Sequence, residues 1–325
     1  MEGFSFRDGE GKLRHGDARV TISTIEFSKK DAKSLSSKTL RRIRAGMARD
    51  GAVAFGGLFP MSLLKRIRSL VVRRHDSGEL RERGLVRDIG GRYAAVLPFE
   101  GPFLDPRFYA NPILRETLAA LLGTGHCIGS LEAVISLPGS SRQHQHIDGP
   151  IRFDRALGGT KRSFQGDLSE LPPYAVTLCV PLCDVDEANG PTAIWPGSHR
   201  SALRARPPGE KEIDREYPAE HMVGAFGRSF LFDFRAFHGG MPNLSREPRP
   251  LLMFVFTRSW YRDPNLSDVF PSVVITKRNL ERIPDRHRSL FMLAPAARRS
   301  LWENKKIGGS PRGRHDLVDS KTWKS

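Results

Sequence analysis

Ser229-Phe-Leu-Phe-Asp-Phe-Arg-Ala-Phe-His-Gly-Gly240 is the stretch whose reading decides the fold. Its first six residues make an apolar run too short for a helix, and a glycine pair closes it, so it reads as a buried strand with His238 at its end. Tyr174-Ala-Val-Thr-Leu-Cys-Val180 and Leu251-Leu-Met-Phe-Val-Phe256 have the same character, each bounded by Gly, Pro, Asn or Asp. Runs that are apolar on both faces suit strands buried in a double sheet or barrel. Upstream the pattern changes. Leu40, Ile43 and Met47 recur at helical spacing, residues 52–59 read as a short strand, and Leu64, Ile67, Leu70 and Val71 stripe a second helix. Residues 92–99 read as a strand, 112–122 as a helix stopped by Gly123, and 126–137 as a long strand closed by Pro138-Gly139. The order predicts an α+β chain, mainly β, with a helical wall packed on an antiparallel sandwich.

The chain has 325 residues, 39% of them hydrophobic and 27% charged, which suffices for a large core and excludes disorder throughout. Its net charge of +16 invites a nucleic-acid reading. Position decides against it. Residues 1–49 hold 12 basic and 6 acidic side chains and residues 276–325 hold 13 and 5, whereas residues 50–275 hold 27 and 25. A phosphate-reading face needs its Lys and Arg on the folded body, and this body is close to neutral. The expected organisation is a basic N-terminal arm over 1–34, one main domain over 35–270 and a basic C-terminal extension over 271–325. Cys127, Cys179 and Cys183 form neither a paired disulfide framework nor a zinc set and read as small core residues. No leader-like apolar segment opens the sequence and no run of about 18 apolar residues occurs. The expectation is a cytoplasmic protein without a membrane span.

Chemistry concentrates in Gln143-His144-Gln145-His146-Ile147-Asp148. In an extended segment side chains alternate, so His146 and Asp148 project to one side. An imidazole and a carboxylate so placed can take adjacent positions on an octahedral metal, and His238 is the best distant third ligand. Two histidines and a carboxylate with three open positions form the facial triad of non-haem Fe(II) oxygenases. His144, one alternation back, is a rival for His146, although the His-x-Asp spacing favours His146. Arg249 lies eleven residues past His238, at the foot of an apolar strand, and a guanidinium there suits bidentate capture of a carboxylate.

Three ordered blocks resemble the phytanoyl-CoA dioxygenase-like branch of the Fe(II)/2-oxoglutarate oxygenases. They are Gln143-x-x-His146-x-Asp148, the segment Glu187-Ala-Asn-Gly-Pro-Thr-Ala-Ile-Trp-Pro-Gly-Ser-His199, and His238 followed by Asn243, Ser245 and Arg249. The resemblance spans roughly residues 35–260 by the order and context of its motifs. It implies a double-stranded β-helix (jelly-roll, cupin-like) core with a flanking helical wall. It also implies Fe(II) on His146, Asp148 and His238, O2 as oxidant, and 2-oxoglutarate as co-substrate with its distal carboxylate on Arg249. Gln143, Thr192 and an upstream arginine, Arg92, are implied as further co-substrate contacts. Gly240 departs from the pattern, since relatives often carry a hydroxyl residue two after the distal histidine; Ser245 or Thr192 is expected to supply that hydroxyl.

Asp148 sets the expected subtype. Chlorinating relatives have a small residue there, so a carboxylate favours hydroxylation, desaturation or a related oxidation, with 2-oxoglutarate converted to succinate and CO2. A small organic molecule is the expected substrate, with nucleic acid disfavoured by the neutral body. Two competing readings are a cupin-like metal-binding or regulatory protein without turnover, and the same chemistry on a nucleic acid or protein docked by the basic ends. Asp233, flanked by phenylalanines, reads as a structurally paired acid, and His199 and Trp195 read as structural. One fold hosts many substrates, and the sequence leaves the oligomeric state open.

Overall fold

The computed structural model describes residues 22–28, 31, 34–83, 86–149, 171–203, 210–262 and 273–295. Most of the expected N-terminal arm, and everything past 295, lies outside these residues. Eleven strands are described: β1 (Thr24–Glu26), β2 (Ala52–Gly56), β3 (Val86–Ile89), β4 (Arg92–Val96), β5 (Cys127–Ser136), β6 (Ala175–Pro181), β7 (Thr192–Ile194), β8 (Glu220–His221), β9 (Ser229–Asp233), β10 (His238–Gly240) and β11 (Arg249–Thr257). Eight of them form one sheet in the order β1-β2-β9-β6-β11-β5-β4-β3, and β10-β7-β8 form a second. Apart from the parallel pair β1 and β2, the ladders are antiparallel. The two sheets make the expected jelly roll. Every residue of β6 and β9 is buried, as their two-sided apolar pattern requires.

The helical wall comprises α1 (Ser37–Asp50), α2 (Met61–Asp76), α3 (Glu79–Arg83), α4 (Pro106–Tyr109) and α5 (Pro112–Leu122). Local chemistry sets the ends of α1: the Ser36 side chain accepts from the Thr39 N–H, and Gly51 adopts φ 71° to close the last turn. The periodic residues face inward, with Ile43 and Met47 of α1 and Leu64, Ile67, Leu70 and Val71 of α2 all buried. Aromatic rings lock wall to sheet. Phe254 of β11 stacks on Phe108 of α4 with centroids 5.1 Å apart, and Phe99 meets Phe291 edge-on at 4.9 Å.

Two sequence expectations are altered. His238 does not end β9; that strand stops at Asp233, the chain turns, and His238 opens β10 in the other sheet. The turn is fixed by Asp233, whose Oδ1 accepts from the Arg235 N–H at 2.9 Å and its Nε–H at 2.7 Å, while Oδ2 accepts from Nη2 at 2.6 Å. Residues 273–295, beyond the expected domain end at 270, also continue the core. Val273, Leu280, Ile283, Leu290, Phe291 and Leu293 join the main apolar cluster, and the Phe99 N–H donates to the Val274 carbonyl at 2.7 Å. Cys127 and Cys179 are buried free thiols and Cys183 is half-buried. Among the described residues no helix is long and apolar enough to cross a membrane. Phe291→Ala is expected to lower stability by about 3–5 kcal/mol by opening a cavity beside Phe99 and Tyr109. Urea unfolding checks this, and an unchanged midpoint would show that the 273–295 segment is not part of the core.

Candidate active site

His146 and His238 face each other across an isolated antiparallel bridge: each backbone N–H donates to the other's carbonyl, at 3.0 and 2.9 Å. The bridge sets the two imidazoles side by side, with centroids 4.4 Å apart. Their tautomers are fixed identically. Nδ1 of His146 lies 3.0 Å from the His144 carbonyl and Nδ1 of His238 lies 3.1 Å from the Ala236 carbonyl, and since a carbonyl only accepts, each Nδ1 carries the hydrogen. Both Nε2 atoms are thereby left as the ring nitrogens that can ligate a metal. Asp148 arrives from the same extended segment. Its N–H donates to the Phe234 carbonyl in the sheet-switching turn at 3.1 Å, and Oδ2 accepts from the Thr177 hydroxyl at 2.9 Å. Oδ1 stands 3.4 Å from His238 Nε2.

One ligand atom from each of the three residues lies within 4.8 Å of the other two. Ligand atoms about 2.1 Å from an octahedral ion on adjacent positions sit about 3 Å apart, so the donor set fits a facially bound metal. Electrostatics agree with the donor set. Burial raises the Asp148 carboxyl, but His238, with help from His146 and Thr177, overcomes this and brings it down to about 2. Burial and the His238 charge bring His146 down to about 4, so its imidazole is neutral at neutral pH. Burial likewise opposes charge on His238, yet the adjacent Asp148 raises it above the ordinary histidine value. The rival His144 is exposed and lies outside the group.

The second part of the site is a row of residues across the large sheet. Ser136 of β5 pairs with Arg92 of β4 on one side and with Arg249 of β11 on the other. Directly opposed residues share a face, so the two arginines project together, their Cα atoms about 10 Å apart. Both are buried, at 2% and 3% exposure, and each Nε lacks a hydrogen-bond partner. Among the described residues no carboxylate pairs with either of them. Burial, then the neighbouring Arg92 charge, lowers Arg249 to about 10, which leaves it charged at neutral pH. An unpaired buried cation costs several kcal/mol, and an anionic ligand between the two arginines offsets that cost.

Gly240 shows where the Arg92 guanidinium sits. A Cβ built on Gly240 would lie 2.8 Å from Arg92 Cζ, so a hydroxyl residue there collides with the arginine. Arg92 is held in place by Nη2, which donates to the Ser141 and Met241 carbonyls at 2.9 Å each. His238 and Gly240 share one face of β10, and Thr192 pairs with Gly240, so the guanidinium lies on the His238 side of the small sheet with Thr192 beside it. Gln143 reaches the same place: its Oε1 accepts from the Gly240 N–H at 3.1 Å. Ser245 is spent elsewhere. Its hydroxyl lies 2.7 Å from Asn243 Oδ1 and 3.0 Å from the Glu247 carbonyl, shaping the turn before β11. The position expected to need a replacement hydroxyl is filled instead by an arginine.

Sequence reasoning missed two supports. Thr177 is visible only as the lone polar residue inside an apolar strand. Asp214 accepts from Gln145 at 3.1 Å and from Trp195 Nε1 at 2.9 Å, tying the back of the His-x-Asp segment to the helix Glu210–Glu216. The expected structural roles hold for Asp233, bound to Arg235 with both side chains almost fully buried, and for His199, packed against Gly51.

Comparison with known proteins agrees with this geometry. The phytanoyl-CoA dioxygenase (PhyH) family matches residues 133–251, a span that includes the three metal-ligand candidates, Thr192 and Arg249. The epimerase SnoN, solved with Fe3+, alpha ketoglutarate and nogalamycin RO, is 18% identical at a TM-score of 0.54, covering 72% of this chain and 90% of its own. EctD from S. alaskensis, solved with 2-oxoglutarate and 5-hydroxyectoine, is 21% identical at 0.53, covering 74% and 82%. HygX from Streptomyces hygroscopicus, with nickel and 2-oxoglutarate bound, is 17% identical at 0.53, covering 71% and 90%. These neighbours share the fold, and the family match over residues 133–251 together with the His-Asp-His group carries the class, that of the Fe(II)- and 2-oxoglutarate-dependent oxygenases. Over residues 133–251 the chain is similar to the phytanoyl-CoA dioxygenase (PhyH) family.

Two substitutions separate positioning from ligation. Arg235→Met leaves Asp233 as a buried unpaired charge and is expected to cost about 3–5 kcal/mol, with loss of tight Fe(II) binding as the turn before His238 relaxes. Thr177→Val is expected to leave the unfolding midpoint nearly unchanged while weakening Fe(II) binding about 10–100-fold. Calorimetric metal titration beside thermal melts checks both, and full metal affinity in either variant contradicts the assigned role.

Proposed function

We propose that this protein hydroxylates a C–H bond of a small organic molecule, with Fe(II) on His146, Asp148 and His238 and 2-oxoglutarate anchored by Arg249 and Arg92. The observation that carries this reading is the pair of buried arginines flanking Ser136, unpaired with any carboxylate among the described residues, beside a candidate three-atom metal face. When bound, iron and 2-oxoglutarate supply the oxidising chemistry: O2 is consumed, one oxygen atom leaves in succinate with release of CO2, and the other goes to the substrate.

The protein's own groups supply position. Two imidazoles and one carboxylate would leave half of an octahedral coordination sphere open for a bidentate co-substrate and O2. Arg249 offers a fork of donors to the distal carboxylate, and Arg92, lodged over Gly240, adds a second cation from the adjacent strand. Thr192 and the Gln143 side chain border the same space and take the positions of polar contacts to the co-substrate. Ser245 acts indirectly by shaping the turn that delivers Arg249. Burial of the arginine row excludes water from the anchored end.

Anaerobic addition of 2-oxoglutarate to Fe(II)-loaded protein is expected to give a weak visible charge-transfer band that is absent in His146→Ala and His238→Ala. A folded wild-type protein that takes up neither ligand contradicts the proposal, and iron uptake without succinate release in the presence of candidate substrates favours a binding protein. Arg249→Gln and Arg92→Gln are each expected to raise the KM for 2-oxoglutarate about 10–100-fold, the worth of one or two charge-assisted hydrogen bonds. Gly240→Ser is expected to reproduce the Arg92→Gln effect by displacing the guanidinium, and an unaltered KM in Gly240→Ser contradicts that role for Arg92.

A further inference from the structure

A second cleft, of about 530 Å³, opens between α4, α5 and the short C-terminal helix Asp285–Arg288. Its apolar floor is alanine and proline; its polar wall is Thr124 with Arg107, Arg115, Glu116, His126, Arg286 and His287. His126 immediately precedes β5, whereas Ser136, between the two active-site arginines, ends it. Nine to ten strand residues place the cleft roughly 30 Å from that row.

The cleft has more hydrogen-bond donors than acceptors. Arg115 Nη1 points at His287 Nδ1 from 3.3 Å and Arg286 Nε points at His287 Nε2 from 3.2 Å. A guanidinium only donates, and a neutral imidazole has a single bare nitrogen, so His287 satisfies one arginine at most. Arg115 Nε is buried without a partner. The nearby acids are engaged. Glu116 Oε2 accepts from the Leu35 N–H at 2.8 Å and lies 3.2 Å from the Ser34 hydroxyl, Asp105 is bound by Arg107 at 2.7 Å, and Asp285 pairs with Arg288 at 2.8 Å. Among the described residues Arg115 and Arg286 form no ion pair.

A ring-nitrogen acceptor stands among these donors. His126 is 4% exposed, and its Nδ1 lies 2.8 Å from the Gly123 carbonyl, so Nδ1 carries the hydrogen and Nε2 is buried, bare and unpartnered. Burial, with the Arg115 charge as a further cause, holds His126 below the ordinary histidine value, consistent with a neutral ring. The wall therefore calls for a ligand with several acceptor oxygens and one O–H. A singly protonated phosphate has both, because its second ionisation falls near pH 6; sulfate and carboxylate lack the hydrogen.

We infer that this cleft is a binding site for a phosphate monoester, with Arg115 and Arg286 donating to the phosphoryl oxygens, His126 Nε2 accepting from the P–OH, and the alanine and proline floor carrying the organic part. Inorganic phosphate titrated calorimetrically into the full-length protein at pH 6.5 and constant ionic strength tests it. Saturable binding is expected, weakened about tenfold or more in Arg115→Gln and in Arg286→Gln, each loss matching one charge-assisted hydrogen bond. It is expected to be unchanged in Arg249→Gln, which separates this cleft from the proposed co-substrate site. Arg286 is exposed, so its variant keeps the fold, and thermal melts confirm that of each protein. The assignment is overturned if cooperatively folding wild-type protein shows no saturable phosphate binding, if sulfate binds as tightly, or if Arg249→Gln abolishes binding while the two cleft variants retain it.

Discussion

The backbone bridge between His146 and His238 is the constraint on which the site depends. Two ligand candidates that are 92 residues apart in sequence are registered by a pair of hydrogen bonds that use no side-chain atoms. That leaves both imidazoles free to be fixed by their own Nδ1–H groups, each on a carbonyl two residues back. The bridge exists only because the chain leaves the large sheet after Asp233 and enters the small one at His238. Asp233 and Arg235 enforce that change: a buried ion pair is weak as a source of net stability but strong as a specifier of geometry, since any other turn leaves a charge unpaired away from water. The same turn offers the Phe234 carbonyl to Asp148, so a single local structure places all three ligand candidates.

The arginine row follows a parallel logic. Arg92 and Arg249 belong to strands that never pair with each other, yet Ser136 brings them together because β5 lies between β4 and β11. A small residue at the centre keeps the space between two long side chains open. Gly240 does the same from the opposite sheet, and the pair Arg92 with Gly240 acts as an exchange: the lost hydroxyl is replaced by a cation from another strand. Two buried cations facing one space favour an anionic ligand by charge more than by directional hydroxyl contacts.

Much of this was legible in the sequence because its physics is local. Period-2 alternation puts His146 and Asp148 on one side, two-sided apolar runs announce buried strands, and Leu40, Ile43 and Met47 mark the first helix. The unreadable parts depend on register between distant strands. Nothing near Arg92 in sequence says that it shares a row with Arg249, and the brief strand at His238 looks like the tail of β9 because one apolar run continues across the sheet switch. Ser245 illustrates the opposite case: its sequence position near Arg249 is suggestive, but its hydroxyl bonds within its own turn, to Asn243 and the Glu247 carbonyl.

The basic ends carry the same lesson about position. In the sequence, residues 276–325 look like a solvated cationic flank. In the structure, residues 276–291 are amphipathic: Leu280, Ile283, Leu290 and Phe291 enter the core while Arg282, Arg286 and Arg288 remain outside. Their charge is held at fixed places by a packed segment, and Arg286 is thereby set against Arg115 of α5, more than 170 residues away in the chain. Counting charge along a sequence separates body from ends; only packing shows that part of an end belongs to the body, and that two like charges have been brought together where a third, opposite one is needed.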